Sequence, residues 1–390
     1  MSVLPGIDRL IDGPDRSLIS GQRVGLVCNP ASVDARFTHT ADRLAAGDDW
    51  KLTALFGPQH GFRSDVQDNM IESAHARDAR RRVPVHSLYS ETREPTAAML
   101  ADVDVLVVDL QDVGTRVYTY IYTMANCLRA AARHGVRVVV CDRPNPVGGT
   151  DVEGPTLDPA YASFVGQFPI PLRHGLTIGE LGRLFNDHFG LNAALDVVPM
   201  EGWSRDLYYD ETGLPWIIPS PNLPTLDSAI VYPGAVLFEG TMLSEGRGTT
   251  RPFELVGAPG IDGERLADAM NARGLPGVHF RPVVFEPTFQ KHAKQTCGGC
   301  QTHVTDRRAF RPVRTAVELI VAFRTQAPDR FAWRQPPYEY EHDKMPIDIL
   351  YGSNRLREAV DAGRTAEAIA DGWPAEEDAF RRLREPVLLY

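Results

Sequence analysis

Short apolar runs alternate with segments of helical periodicity along the first two thirds of the chain. Residues 104–110 form a continuous apolar run, as expected for a strand buried on both faces of a sheet. Residues 118–134 place apolar side chains at a spacing close to one helical turn, which predicts a long helix. Further strands are predicted over residues 23–28, 51–56, 83–88, 136–141 and 196–200, and further helices over 38–46, over 95–100 and from Thr177, where Glu180 completes a capping box. Strands that alternate with helices indicate βαβ units and a mostly parallel sheet.

The pattern changes after about residue 230, where Gly and Pro become frequent and helical periods become fewer. Helices are predicted over residues 262–273, 315–325 and 354–362, and strands over 278–285 and 301–305. This mixture is typical of an α+β unit. We therefore predict an α/β fold in two domains: a mostly parallel sheet with helices on both faces in residues 1–257, and a second, smaller α+β domain in residues 258–390.

Composition and charge exclude several classes of function. The chain has 390 residues, of which 43% are hydrophobic and 24% charged, as in ordinary globular proteins. The formal net charge of -10 argues against nucleic acid as a partner, because phosphate binding needs a basic face. No apolar run is long enough to span a bilayer, so no membrane insertion is expected. Residues 1–16 lack the apolar core of a signal peptide, so a cytoplasmic location is expected.

Polar residues follow four of the predicted strands, at the point where each strand ends. They are Asn29, then Gln59 and His60, then Asp109, Gln111 and Asp112, then Asp142, Arg143 and Asn145. The carboxyl ends of parallel strands share one edge of the sheet, so we expect these side chains to meet in a ligand cleft. The alternative is that each one only caps the helix that follows it.

The segment 112–120 adds an arginine and two tyrosines near the start of the long helix. Arg116 could clamp a carboxylate through a bidentate pair, and Tyr118 and Tyr120 could line one face of a sugar. In the alternative arrangement Arg116 pairs with Asp112 and Tyr120 is buried.

Two other segments carry candidate chemistry. The polar loop 243–250, with Glu245 and Arg247, is costly to order unless it binds a ligand, although it could also be a surface turn. Cys297 and Cys300 form a lone CxxC, which precedes a predicted strand and has only His292 and His303 as nearby extra ligands. We predict that it binds no metal. The five cysteines give no disulfide framework.

Several motifs together resemble the exo-β-N-acetylmuramidases of the NamZ family, formerly catalogued as a domain of unknown function (DUF1343). The motifs are FGPQHG at 56–61, DLQDVGTR at 109–116 with YTY at 118–120, DRPNP at 142–146, RHG at 173–175 with TIGE at 177–180, and EGT at 239–241 with SEGRGT at 244–249. The resemblance covers nearly the whole chain. It implies a Rossmann-like catalytic domain followed by a smaller auxiliary domain, with the site in the cleft between them. It also implies release of terminal N-acetylmuramic acid from peptidoglycan fragments, without a cofactor.

One position departs from the family pattern. Many relatives have Glu where this chain has Gln59, and an amide cannot exchange the proton that glycoside cleavage requires. Either another group supplies the acid or the reaction differs. If another group acts, Glu245 on its glycine-flanked loop is the first candidate for the acid, with Glu72 second. The predicted catalytic residues are Glu245, Glu72, Asp112 and His60, with Asp65 also considered, and the predicted substrate-binding residues are Asn29, Gln59, Gln111, Arg116, Tyr118, Tyr120, Asn145, His174 and Arg247.

Three functions remain open from the sequence. The first is a glycoside hydrolase acting on a muropeptide or another saccharide with terminal N-acetylmuramic acid, whose lactyl carboxylate would suit Arg116 or Arg247. Its 2-acetamido group also permits substrate-assisted cleavage. The second is a muropeptide-binding protein in which Gln59 marks lost chemistry. A nucleotide enzyme is disfavoured, because Asn29 and the residues after it lack the glycine fingerprint.

Overall fold

A seven-stranded sheet forms the centre of the computed structural model, which describes residues 2–65, 67–68 and 70–390. In these residues the strands are β1 (Arg23–Cys28), β2 (Lys51–Gly57), β3 (Ala76–Asp78), β4 (Val83–Ser87), β5 (Val105–Asp109), β6 (Arg137–Cys141), β7 (Glu153–Thr156), β8 (Pro171–Arg173), β9 (Leu195–Val198), β10 (Leu255–Ala258), β11 (Val278–Phe285) and β12 (Cys297–Val304). The order in the large sheet is β3-β4-β2-β1-β5-β6-β9. The pairings from β4 to β9 are parallel, and only the edge strand β3 runs antiparallel in the part of the chain described.

The parallel part of this sheet has the strand order of a Rossmann fold. Numbered along the chain, its described strands lie in the order 3-2-1-4-5-6, so the order reverses between β1 and β5. The predicted mostly parallel sheet is confirmed. In such sheets the ligand crevice lies at the carboxyl ends of the strands, beside the point of reversal.

Helices cover both faces of the sheet because side chains alternate along each buried strand. Val24 and Leu26 of β1 pack with Ile7 and Leu10, whereas Val27 belongs to the cluster on the opposite face. The described helices are α1 (Gly6–Asp12), α2 (Thr40–Ala45), α3 (Ala97–Leu100), α4 (Tyr120–His134), α5 (Ile178–Arg183), α6 (Leu226–Ala235), α7 (Gly263–Asn271), α8 (Pro312–Gln326), α9 (Pro346–Tyr351), α10 (Arg355–Asp361), α11 (Ala366–Ala370) and α12 (Trp373–Arg384). The predicted capping box at α5 is confirmed: the Thr177 hydroxyl accepts from the Glu180 backbone amide, and the Glu180 carboxylate accepts from that of Thr177.

The C-terminal part of the chain contains a smaller antiparallel sheet of order β10-β12-β11 in the described residues, packed against α7, which in turn contacts α8. The predicted α/β fold with a smaller α+β unit is therefore confirmed. The apolar core runs without interruption from the α4 face of the large sheet into α8. The division at residue 257 stays a prediction, and it falls within β10. No helix among the described residues is long and apolar enough to cross a membrane.

Candidate active site

A cavity lies between the carboxyl end of β2, the start of α4 and segments from the C-terminal part of the chain. The cavity and its mouth hold about 520 Å³ of space that protein atoms do not fill. Its walls come from the segments 59–60, 117–120, 220–223, 232–239, 247–253 and 338–339, together with Val165.

Gln59 is fixed at the wall of this cavity by three neighbours. Its Oε1 accepts a hydrogen bond of 2.7 Å from the Thr119 hydroxyl. Its Nε2 donates to the Tyr89 hydroxyl at 3.2 Å and lies 3.5 Å from Oε1 of Glu339. The amide therefore presents its donor to a carboxyl group that is far away in the sequence.

Glu339 is the second member of this contact and is 3% exposed. Burial raises the pKa of Glu339 to about 7, and hydrogen bonds from Tyr89 and Gln59 only partly oppose the rise. The Tyr89 hydroxyl donates to Oε2 of Glu339 at 3.0 Å. A carboxyl group in this environment can hold a proton close to neutral pH.

Glu239 also lines the cavity, and its environment acts in the opposite direction. Burial alone would raise the pKa of Glu239, but the Arg247 guanidinium and the hydrogen bonds from Arg247 and Tyr338 hold it below its ordinary value. Arg247 Nη2 lies 2.7 Å from Oε1, and the Tyr338 hydroxyl donates to Oε2 at 2.8 Å. Two carboxyl groups with pKa values pushed apart in one cavity are the usual arrangement for acid and base catalysis.

The backbone at the cavity is strained at several positions. His60, Phe253 and Glu339 line the cavity with φ of 68°, 68° and 44°, and Tyr340 follows with φ of 69°. Non-glycine residues in this left-handed region each cost on the order of 1 kcal/mol or more and concentrate at functional sites.

Glu245, predicted as the proton donor, lies outside the cavity lining and is ion-paired. Its Oε2 is 2.7 Å from Lys291 Nζ and its Oε1 is 3.3 Å from Arg247 Nε. Lys291 Nζ also donates to the backbone carbonyls of Phe238, Thr241 and Leu243. The structure thus places Glu245 outside the cavity lining and in ion pairs with Arg247 and Lys291, and its role as the proton donor stays a prediction.

Arg116, predicted to clamp a substrate carboxylate, is fully buried away from the cavity. Its guanidinium donates to the backbone carbonyls of Pro155 and Ile170 through Nη1 and of Leu350 through Nη2, at 2.8 to 3.1 Å. Burial lowers the pKa of Arg116 to about 10. Its donors join three segments of the chain, and Arg116 does not line this cavity, so its role in substrate binding stays a prediction.

The remaining strand-end residues bind the protein itself rather than the cavity. Asp112 accepts from the Gly114 amide and lies 3.3 Å from His174 Nε2. Gln111 donates to the carbonyls of Asp112 and Pro144, and Asn145 donates to that of Leu176. These contacts hold neighbouring loops together, and they involve four of the proposed cleft residues: Asp112, Gln111, Asn145 and His174. They do not line this cavity, and their contact with substrate stays a prediction. None of these four side chains caps the helix that follows it: the N-cap residues of α4 and α5 are Thr119 and Thr177.

Asn29 and Glu72 have separate positions. Asn29 donates to the Tyr120 hydroxyl at 3.2 Å and to the Pro219 carbonyl at 2.7 Å, so it supports the cavity wall from behind. The Glu72 side chain is 52% exposed, pairs with Arg93 at 3.6 Å and lies with Asp65 in a different depression. Glu72 does not line this cavity, and its catalytic role stays a prediction. The predicted residues that do line the cavity are Gln59, His60, Tyr118, Tyr120 and Arg247.

Sequence reasoning missed Glu339 and Tyr89 and named Glu239 only as part of the EGT motif at 239–241. Glu339 lies in an irregular segment between Tyr338 and Tyr340, where no helical or strand pattern marks a site. An acidic residue between two aromatic residues after a Pro-Pro pair was the available signal.

Models of one protein family match the chain from β1 to its last residue. Residues 24–227 match exo-beta-N-acetylmuramidase NamZ, N-terminal, and residues 230–390 match exo-beta-N-acetylmuramidase NamZ, C-terminal. The chain belongs to the NamZ family. The cavity lies between the two matched regions, since Gln59 and Tyr118 come from the first and Glu239 and Glu339 from the second.

Individual relatives agree with this assignment to the NamZ family. Peptidoglycan beta-N-acetylmuramidase NamZ of Bacillus subtilis (strain 168) is 45% identical over 389 residues, which are 100% of this chain and 91% of that protein. A crystal structure of a DUF1343 family protein from Bacteroides fragilis NCTC 9343 has a TM-score of 0.90 at 37% identity, covering 100% of this chain and 99% of the other. A second DUF1343 structure from that organism has a TM-score of 0.77 at 27% identity, with the same coverage.

Proposed function

We propose that this protein is an exo-β-N-acetylmuramidase, a glycoside hydrolase that releases terminal β-linked N-acetylmuramic acid from peptidoglycan fragments. The observation that carries the proposal is the cavity between the two NamZ regions, in which Glu239 and Glu339 have pKa values shifted in opposite directions. Glycoside hydrolysis needs one group that keeps a proton and one that stays ionised. Membership of the NamZ family supports the same reaction class.

Glu239 is the group that stays ionised. Arg247 and the Tyr338 hydroxyl hold its carboxylate in place, so little reorganisation is required when positive charge develops on the sugar ring. A carboxylate at this position can orient the 2-acetamido group of the substrate, whose oxygen then acts as the nucleophile, or it can attack the anomeric carbon directly. Both routes place the negative charge of Glu239 next to the developing oxocarbenium ion.

Substrate recognition requires a partner for the lactyl carboxylate that distinguishes N-acetylmuramic acid. Of the two arginines expected to bind it, Arg247 lines the cavity and Arg116 does not. The formal charges of Arg247 and Lys291 balance those of Glu239 and Glu245, so Arg247 is held in a neutral cluster. The Arg247 guanidinium has five N–H donors, more than its two ion pairs use. We propose that the remaining N–H groups contact the lactyl carboxylate.

Turnover of chromogenic sugars tests this function directly. The protein should release the chromophore from an aryl β-N-acetylmuramide and much more slowly from the matching β-N-acetylglucosaminide, which lacks the lactyl ether. Glu239→Gln should lower kcat/KM on the muramide by on the order of a hundredfold or more. Glu341→Gln, the same substitution two residues after Glu339, is the control and should stay within about twofold, because the half-buried Glu341 side chain does not line the cavity and its pairing with Tyr338 uses backbone atoms only.

A muropeptide-binding protein is the competing function, because Gln59 stands where many relatives have Glu. It would be established by saturable binding of a muropeptide in calorimetry together with the absence of turnover on muramides. Such a result would overturn the hydrolase proposal.

A further inference from the structure

We propose that Glu339 is the catalytic acid that protonates the leaving-group oxygen, the role that position 59 cannot fill in this chain because it carries an amide. This inference rests on the proposed hydrolase function and assigns its proton donor. It replaces Glu245, which does not line the cavity and is ion-paired with Lys291 and Arg247.

The first argument is position. Glu339 lines the cavity and its Oε1 is 3.5 Å from Gln59 Nε2, so its carboxyl group lies next to the amide that replaces the expected acid. The second oxygen, Oε2, accepts a 3.0 Å hydrogen bond from Tyr89. The contact from Gln59 to Oε1 is long and weak. Oε1 is therefore the oxygen that can carry the proton toward a substrate.

The second argument is the elimination of the other carboxyl groups near the site. Glu239 lines the cavity but is held ionised by Arg247 and Tyr338. Asp112 pairs with His174 outside the cavity lining, and Glu72 lies in a separate depression. Among the described residues, Glu339 is then the lining carboxyl group that can retain a proton near neutral pH, since burial raises its pKa to about 7.

The third argument is the chemistry that this placement permits. The Glu339 proton passes to the glycosidic oxygen as the bond from that oxygen to the anomeric carbon breaks, and the bonding electron pair stays on the departing alcohol. The substrate acetamide oxygen, or Glu239, forms a bond to the anomeric carbon. The Glu339 carboxylate then takes a proton from water, whose oxygen displaces this group at the anomeric carbon. One water is consumed, free N-acetylmuramic acid leaves, and Glu339 is protonated again.

The test compares Glu339→Gln with Glu341→Gln on leaving groups of different acidity. A proton donor matters for an alkoxide leaving group and hardly at all for a 2,4-dinitrophenolate. We therefore expect Glu339→Gln to lower kcat/KM by on the order of a hundredfold or more on a muramyl disaccharide but by less than about fivefold on the dinitrophenyl muramide. Glu341→Gln should leave both substrates close to wild type.

The pH profile supplies a second readout, which a merely structural role would not change. Wild-type kcat/KM should fall as pH rises through about 7, because Glu339 loses the proton it must donate. This alkaline limb should be present for wild type on the muramyl disaccharide, weak for wild type on the dinitrophenyl substrate, and absent from the residual activity of Glu339→Gln on the disaccharide. If that variant does not fold, Glu339→Asp keeps a carboxyl group and should retain an alkaline limb at reduced activity.

The outcomes separate this inference from the proposed function. Three results would overturn Glu339 as the acid: equal losses of kcat/KM on both leaving groups, no loss on either, or an alkaline limb that persists in Glu339→Gln. Wild-type turnover would still support the hydrolase in each case. A Glu339→Asp variant without an alkaline limb would also overturn Glu339 as the acid. A wild type that is inert on every muramide overturns both proposals.

Discussion

Replacing Gln59 by Glu would place two carboxyl groups side by side in the cavity. The Gln59 amide now donates toward Glu339, with Nε2 and Oε1 separated by 3.5 Å. Gln59→Glu has almost the same shape, and the Thr119 hydroxyl that donates to Oε1 can keep its contact. The two carboxyl groups would then share one proton, because both cannot ionise readily at this separation.

The size of the effect follows from the geometry. Gln59 and Glu339 are 6% and 3% exposed, so solvent screens them little. At an effective dielectric constant of about 20, two unit charges 3.5 Å apart repel by about 5 kcal/mol, which corresponds to between about 3 and 4 pKa units. Structural relaxation and water entry reduce this value. The second proton loss of the pair should therefore occur on the order of 1 to 3 pH units above that of Glu339 alone.

The assay is the pH dependence of kcat/KM on an aryl β-N-acetylmuramide. A catalytic acid works while the pair keeps one proton, so the alkaline limb near pH 7 should move upward in Gln59→Glu, with equal or higher activity at pH 6. Gln59→Met removes the amide without adding a charge and is the control, with an expected shift below about one pH unit. An alkaline limb at the wild-type position in Gln59→Glu would refute the proposed coupling between the two positions.

Three further predictions concern residues around and outside the cavity. Tyr89→Phe removes the hydroxyl that stabilises the Glu339 carboxylate, so the midpoint of the alkaline limb of kcat/KM should move to higher pH by about one unit. An unchanged midpoint would argue against this contact. Arg116→Met leaves buried carbonyls without a donor and should lower the free energy of unfolding in urea by several kcal/mol with KM unchanged; a raised KM at unchanged stability would restore the carboxylate clamp. Cys297 and Cys300 lie three residues apart on β12 and face opposite sides of it, so elemental analysis after a chelator wash should find no zinc; one zinc per chain contradicts this.

The sequence predicted those helices and strands that are determined by the pattern of a few consecutive residues. The run that forms β5 is buried at every position, and the capping box at Thr177 and Glu180 begins α5 as expected. The loop with Gln59 and the start of α4 with Tyr118 were predictable for the same reason, since polar side chains at strand and helix ends mark the cleft of a parallel sheet.

The parts of the site that could not be predicted depend on contacts between distant segments. Glu339 meets Gln59 across 280 residues, from a segment without a regular pattern. Arg116 resembled a ligand-binding residue because charged side chains in loops are usually exposed, whereas three backbone carbonyls satisfy it in the core. The pairing of Glu245 with Lys291 likewise appears only in three dimensions.

The central claim is that this cavity releases N-acetylmuramic acid from the end of a peptidoglycan fragment. Mass spectrometry of products from two matched saccharides, one ending in N-acetylmuramic acid and the other in N-acetylglucosamine, tests it most directly. The account predicts free N-acetylmuramic acid from the first, accumulating to many times the enzyme concentration, and no terminal sugar from the second. Release of terminal N-acetylglucosamine at a similar rate, or no release from either saccharide, would contradict it.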